Sequence, residues 1–550
     1  MADKAGYFSG QPKGSNLPTI ASRMQALVTA GQLSSMRWQN FPDLQPQAKI
    51  FYQEINYQPA WVHADTATPQ ANAMITAFTA SAAKGFDPKD FDGPRWADRI
   101  AQLHTKLPDA IAEFDVAMTV SAMRYIAALH NGRVNPEQVA FSVQSQGNQY
   151  DLPQFLAQQV VNASDLPSTL GAIEPQSEGY RRTEAALAHY LLLAQQDNAS
   201  PLPQVSTTIK PGGHYAYAQQ LHARLLLLGD APPDDATQVG SPGIYDSVLA
   251  NAVRHFQHRH GLAEDGMLTP ATLTALNVPL WQRVRQLQDS IERWRWLPAD
   301  YVHAPLMINL PEFVLRAYSP DQTLAFKMDV IVGRAIEDRQ TPVFTNQLKY
   351  IIFRPYWNVP VSIAKKEILP HLKGNPHYLT EKHFEVVRPS GEAAGAWNQR
   401  AIESQNAIIR EKPGPHNSLG LAKFVFPNTM DIYLHGTSDP GLFSHSQRDL
   451  SHGCIRVRDP AKLAAWLLRD QPQWPLEKIQ EAMNNGRDSQ QVNLKNPVAV
   501  VIFYSTVMVE DDGEVHFFND IYAADSLIES ALSNGYPYAS TMRTGAASRK

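Results

Sequence analysis

From about Leu17 to Ser200 the apolar positions recur at helical spacing. The clearest stretch puts Phe114, Met118, Ala122, Tyr125 and Leu129 on one helix face, and Asn131-Gly132 with Pro136 beyond it ends the run. Shorter helical runs surround Ile50–Tyr57 and Ala71–Ala83. Pro201–Gly213, rich in Pro, Thr and Gly, reads as a linker. Leu221, Leu225 and Leu228 then form a short stripe ended by Gly229, and a Pro/Asp/Gly loop (Asp230–Gly243) leads to Val248, Ala252 and Phe256 on a second helix closed by Gly261. Thr269-Pro270 supplies the cap and first turn of a third helix that buries Leu273 and Leu276.

After a Trp-rich helix over Gln282–Trp296 the period changes to two. Leu306/Ile308/Leu310, Met328/Val330/Val332, Ile432/Leu434 and Val498/Val500/Ile502 alternate as half-buried strands do. Val507 to Phe518 reads as a hairpin around Asp512-Gly513, and Pro460–Leu468 as a helix. The polar excursion Ala364–Asn417 is long for a β domain, which predicts a lid or binding loop. The expected fold is multidomain α+β: a flexible tail at 1–16, a helical scaffold at 17–205, a small three-helix module at 206–280, a linking helix at 281–304, a β-rich domain at 305–525 with its lid at about 364–417, and a C-terminal tail at 526–550.

Length agrees with several domains, since 550 residues exceed one core. A chain 43% hydrophobic and 18% charged is not a disordered one. A net charge of -5 leaves no basic excess for phosphates, which argues against a nucleic-acid binder. No apolar run reaches the ~18 residues needed to span a bilayer. The segment Met1–Tyr7 lacks the basic head and apolar stretch of a secretion signal, leaving a cytosolic protein or a mature form with an added Met. The single cysteine, Cys454, excludes an internal disulfide and any multi-Cys metal site.

That cysteine lies in Ser451-His452-Gly453-Cys454-Ile455-Arg456-Val457, downstream of Ile432-Tyr433-Leu434-His435-Gly436-Thr437. If both segments are strands, alternation puts Tyr433 and His435 on one face, and Cys454 and Arg456 on one face of the other. Laid side by side, they would bring a thiol within reach of an imidazole. His435 as base and Arg456 as a source of positive potential would raise the thiolate fraction. Gly453, lacking a Cβ, lets backbone crowd a reacting carbonyl, so that the N–H groups of Gly453 and Cys454 could face an oxyanion. Blander readings stand beside this one: an inert buried thiol, a core histidine, or Arg456 paired with Asp449 or Asp459. His435, His452 and Cys454, with His445 or Asp449, also hold enough ligand types for zinc, at no spacing typical of zinc sites.

The segments His435-Gly436-Thr437 and Ser451-His452-Gly453-Cys454-Ile455-Arg456 resemble the signature of the L,D-transpeptidase catalytic domain of the YkuD type. Trp357-Asn358-Val359-Pro360, Asn417-Ser418-Leu419-Gly420 and Asp520-Ile521-Tyr522 are similar as well. Val253–Leu262, Asp265-Gly266 and Leu273–Asn277 resemble a peptidoglycan-binding module. Phe51-Tyr52 through Trp61, Gly85–Pro88 and Asn131–Pro136 resemble the scaffold of the large, YcbB-like members. The likeness covers most of residues 40–525.

The resemblance implies Cys454 as nucleophile and His435 as general base. Ser451, His452, Gly453 and Arg456 complete the motif, Gly436 and Thr437 shape the wall beside the base, and Tyr433, Trp357, Asn358 and Asn417 are expected along the substrate channel. It implies peptidoglycan tetrapeptide stems as donor and acceptor, carbapenem-type β-lactams as inhibitors, no cofactor or metal, and a periplasmic or cell-envelope location in cell-wall assembly and cell shape. Two alternatives are an L,D-carboxypeptidase using the same residues with water, and a non-catalytic wall-binding scaffold.

Overall fold

The computed structural model describes residues 19–139, 141, 151–232, 242–336, 339–372, 374–375, 377–395 and 398–535. The expected N-terminal tail, most of the loop after Asp230 and the last residues of the expected C-terminal tail lie outside them. The described residues divide into two compact units, one within Met1–Arg133, Gly147–Glu174 and Asn534–Lys550, the other within Val134–Gln146 and Pro175–Ser533.

In the first unit the predicted long helix runs Pro108–Asn131, entered through a first-turn proline and stopped at Gly132, whose φ is 76°. It is apolar nearly all round because other helices surround it. Its one buried carboxylate, Asp115, accepts from the Tyr52 hydroxyl at 2.7 Å and the Trp61 amide at 2.8 Å. Burial pushes that carboxyl up to about 7.

The second unit is built around a nine-stranded sheet that closes on itself. Passing round it, Leu324–Gly333 is followed by Ile455–Val457, Leu434–His435, Ala422–Val425, Phe344–Phe353, Gln490–Phe503, Leu306–Asn309 and Val314–Tyr318, which pairs again with Leu324–Gly333. Asp449–Ser451 adds to the edge of Leu324–Gly333. The alternation expected for Leu306–Leu310 is not seen: Leu306–Asn309 is buried throughout. The helix Leu280–Arg295 packs on the sheet, with Trp294 against Phe503 at 4.9 Å between ring centroids. That helix, expected as a link, is therefore part of the core. Glu178–Gln196, which falls in the expected scaffold segment, packs against it within the second unit. The C-terminal strand is longer than predicted, and its register shifts between Asn493 and Val498, where Pro497 cannot donate to the ladder. The chain is also helical over Ala524–Ser533, which crosses from the expected β-rich domain into the stretch expected as a tail, because Ile528 is buried in the core.

The three-helix pattern of the module is present as Ala218–Leu227, Ser247–Arg259 and Pro270–Leu276. The expected linker is partly pinned to it: Asn277 exchanges two hydrogen bonds of 2.7 Å with the Leu202 backbone. The module is fixed to the hairpin Val507–Phe517 through Arg259. Its guanidinium forms a buried two-point pair with Asp230, at 2.9 and 2.7 Å, and donates to the Val515 carbonyl at 2.8 Å. Among the described residues no helix is long and apolar enough to cross a membrane.

Removing one partner of a buried ion pair strands the other charge. Arg259→Ala should therefore cost about 3–5 kcal/mol and lower the urea midpoint of the second unit. Arg388→Ala, which breaks an exposed pair with Glu392, should cost less than about 1 kcal/mol in the same titration.

Candidate active site

The short strands Leu434–His435 and Ile455–Val457 run parallel and adjacent, with Leu434 opposite Ile455 and His435 opposite Arg456. This is the side-by-side placement that the sequence spacing allows. Cys454, immediately before the second strand, comes level with Tyr433. Both open with His435, Ser451, His452, Arg456, Trp357 and Asn358 onto one cavity of about 1170 Å³. Gly436, Thr437, Gly453 and Asn417 stand behind that wall rather than in it.

The residues behind the wall hold the thiol loop. The Ser451 hydroxyl donates to the Cys454 carbonyl at 2.6 Å and accepts the Gly453 N–H at 3.1 Å. The expected use of the Gly453 N–H as an oxyanion donor is thus corrected: the turn itself consumes it. The backbone donor left at this point is the Cys454 N–H, which has no acceptor among the described residues. Gly453 sits at φ 121°, a conformation that side chains resist. Its carbonyl accepts from Thr341 Oγ1 at 2.7 Å, and Thr341 Oγ1 accepts the Gly333 N–H at 2.8 Å. The Tyr522 hydroxyl donates to the Gly333 carbonyl at 2.6 Å, and Tyr504 ties Tyr522 to Asp520. The closing Asp520-Ile521-Tyr522 segment is thereby a brace for the Cys454 loop.

Asn417, expected in the channel, is buried and occupied with backbone. Its amide donates to the Pro355 and Lys412 carbonyls at 3.2 and 2.9 Å, and its carbonyl oxygen accepts the Leu419 N–H at 2.8 Å. It fixes the turn that presses Gly420 on Gly436–Thr437, where a Cβ on Gly420 would come within 2.5 Å of the Thr437 nitrogen. Asp459, one suggested partner of Arg456, instead caps the helix Pro460–Leu467.

The electrostatics of the cavity follow from burial. The Cys454 thiol, donating to the Asp431 carbonyl at 3.4 Å, is pushed up by burial, while Tyr433 and Lys423 pull it back. Burial, then Arg456 and Lys423, push the His435 imidazole down to about 3, although the Gly436 and Leu419 backbone favours the charged ring slightly. His435 Nδ1 is fully buried with no partner at hydrogen-bonding distance. The ring is therefore neutral at pH 7, and the resting proton belongs to sulfur.

The excursion at Ala364–Asn417 is more than a loop. It carries a core of its own, including Ile368, Leu372, Val386, Ile402 and Ile409, and a three-stranded sheet of Phe384–Val387, Ile408–Glu411 and Trp357–Asn358. One lid carboxylate reaches the thiol loop: Glu367 accepts from His452 Nε2 at 2.8 Å and from Arg339 at 2.9 Å. Burial opposes its ionisation, but the His452 and Arg339 contacts outweigh this and hold the carboxyl below the usual range. Glu367, Arg339, Thr341 and Lys423 were not legible as site residues, since each is brought in by strand pairing or lid packing rather than by a motif.

Comparison with known families matches an L,D-transpeptidase catalytic domain at residues 305–498, a "Putative peptidoglycan binding domain" at 218–276 and a "Scaffold domain" at 46–187. Among curated proteins, a Haemophilus influenzae protein named "Putative L,D-transpeptidase" is 29% identical over 252 residues. The match takes in 46% of this chain, and the chain spans half the length of that relative.

Removing the charge of Glu367 should loosen the lid without unfolding the barrel. Glu367→Gln is expected to speed amide hydrogen exchange across 361–372 severalfold and leave exchange in Phe344–Phe353 unchanged, as read by exchange mass spectrometry.

Proposed function

The chain carries an L,D-transpeptidase catalytic domain of the YkuD type, preceded by a peptidoglycan-binding domain, and on that premise we propose that it cross-links peptidoglycan stem peptides through a thioester on Cys454. The observation that carries the reading is the parallel pairing that opens Cys454 and His435 onto one cavity. Cys454 attacks the carbonyl of the L,D-peptide bond after meso-diaminopimelate in a tetrapeptide stem. The C–N bond breaks, D-Ala leaves, and the acyl group stays on sulfur. Neutral His435 is the group that takes the thiol proton and returns it to the departing amine. The Cys454 N–H faces the oxyanion of the tetrahedral intermediate.

The thioester is then attacked by the side-chain amine of diaminopimelate on a second stem, which forms the new amide and frees the thiol. Such an amine, with a pKa near 10.4, is mostly protonated at neutral pH and must lose a proton first. A cavity of about 1170 Å³ exceeds the usual ~300–1,000 Å³ of a small-molecule pocket, which supports room for two chains. The lid closes over the reacting bond and favours amine over water. This substrate lies outside the cytoplasmic membrane, so the reading implies a cell-envelope location.

Incubation with purified disaccharide-tetrapeptide tests the reaction: a cross-linked dimer with released D-Ala is expected, whereas free tripeptide alone would mean hydrolysis. Cys454→Ala should abolish both products, and His435→Ala should reduce dimer formation at least about a hundredfold with the fold retained.

A thiol that accepts a D-amino-acid leaving group should also open a strained lactam. With a carbapenem, intact-mass spectrometry should show one added drug mass on the protein, absent in Cys454→Ala and slow to appear in His435→Ala. An adduct on any other residue would refute Cys454 as the nucleophile.

A further inference from the structure

Lys423 lies in the strand Ala422–Val425, directly opposite His435, and its side chain enters the same cavity as Cys454. Its ammonium sits 3.6 Å from the centroid of the Tyr433 ring. Among the described residues it forms no ion pair, unlike most of the buried cations of this unit. Arg259, Arg316 and Arg293 each face a carboxylate. A half-buried ammonium resting on an aromatic face, near the Asp431 carboxylate but not paired with it, is poised for an anion that forms in the cavity.

The thiol needs such a partner. A neutral imidazole pushed far below its ordinary range supplies no positive charge to a resting thiolate. The other charged or titratable groups around Cys454 are accounted for. Asp431, ahead of the first strand, repels a thiolate. The Tyr433 hydroxyl lies beside the thiol and is neutral. Arg456 follows on the strand of Cys454 itself and interacts with its charge, Lys366 lines the same cavity, His452 and Arg339 are committed to Glu367, and Lys423 is the cation that faces the thiol from the far side of His435.

We propose that Lys423, held against the Tyr433 ring, is the counter-cation of the Cys454 thiolate and sets the pH at which the enzyme becomes reactive. This deepens the assignment of Cys454 as nucleophile and rests on it. The role is electrostatic: no bond to Lys423 forms, and the thiol proton leaves by way of His435 or solvent. Burial lowers the Lys423 ammonium, and the negative charges of a Cys454 thiolate and of Asp431 would raise it.

The test is the pH profile of alkylation on the full chain, which has one cysteine, so that each added carbamidomethyl group reports Cys454. Iodoacetamide rates would be followed by intact mass from about pH 6 to 10, a window set by the ordinary thiol range. Lys423→Met keeps an unbranched stem on the Tyr433 ring and removes the charge. It should move the midpoint up by about one pH unit or more and slow alkylation about tenfold at pH 7. Lys423→Arg keeps the charge and should stay within about threefold of the native rate. A Lys423→Met profile that coincides with the native one, in a protein with unchanged circular dichroism, would overturn the proposal. If that variant fails to fold, Lys423→Gln removes the same charge and keeps a polar tip, and an alkylation midpoint unshifted in that variant would count against the ion pair. Alkylation needs no substrate. A shifted profile in a protein that makes no thioester would therefore uphold Lys423 while removing the transpeptidase reading.

Discussion

Everything at the active site hangs on one parallel pairing of two very short strands. Leu434–His435 and Ile455–Val457 could not hold register alone, because two or three residues of ladder are worth little in water. They hold it because both are staves of a closed sheet, each with a second neighbour: Ala422–Val425 on one side and Leu324–Gly333 on the other. A slip of one residue would turn Leu434 and Ile455 out of the core and carry the thiol and imidazole away from the cavity together. The buried leucine and isoleucine therefore specify the geometry of the reactive pair as firmly as the pair itself.

Once fixed there, the reactive groups pay for their position in ionisation. The barrel wall and lid strip water from both, which raises the thiol and lowers the imidazole, opposite to what a resting thiolate–imidazolium pair requires. The surrounding polar network spends itself on backbone instead. Ser451, Thr341, Tyr522 and Asn417 all bond carbonyls and amides of the turns that carry Cys454 and Gly436. Rigidity is supplied by neutral hydrogen bonds, and charge is kept for the cavity.

The parts of this arrangement that sequence revealed are those with local signals. Period and caps marked the long helix, the module helices, the hairpin at Asp512-Gly513 and the helix from Pro460, and the spacing around Cys454 and His435 allowed the side-by-side placement that opens both onto one cavity. What failed needed knowledge of neighbours. Leu306–Asn309 looked half-buried because alternation says nothing of what covers a strand's second face, and Asn417 looked like a channel residue because a motif does not tell which way an amide turns. The lid read as polar excursion since its apolar residues are spread over short segments that meet only in three dimensions. Lys423 carries no signal at all in the chain. Only the pairing of its strand with His435 puts its charge at the thiol.

That placement gives one ammonium opposite effects in the two halves of the proposed cycle. Before acylation the incoming negative charge on sulfur is attracted, so the nucleophile is favoured. After acylation the thioester is neutral, and Lys423 again faces the cavity without an anion. An acceptor arriving as an ammonium would then meet a like charge in a site of low dielectric, where repulsion is stronger than in water. Its pKa must fall there for the same reason that the thiol's does, since both shifts remove positive charge or add negative charge beside a fixed cation. The acceptor would thus be driven toward the free amine that attack requires, and His435, neutral again once its proton has gone to the departing amine, need only receive a proton already loosened by its surroundings.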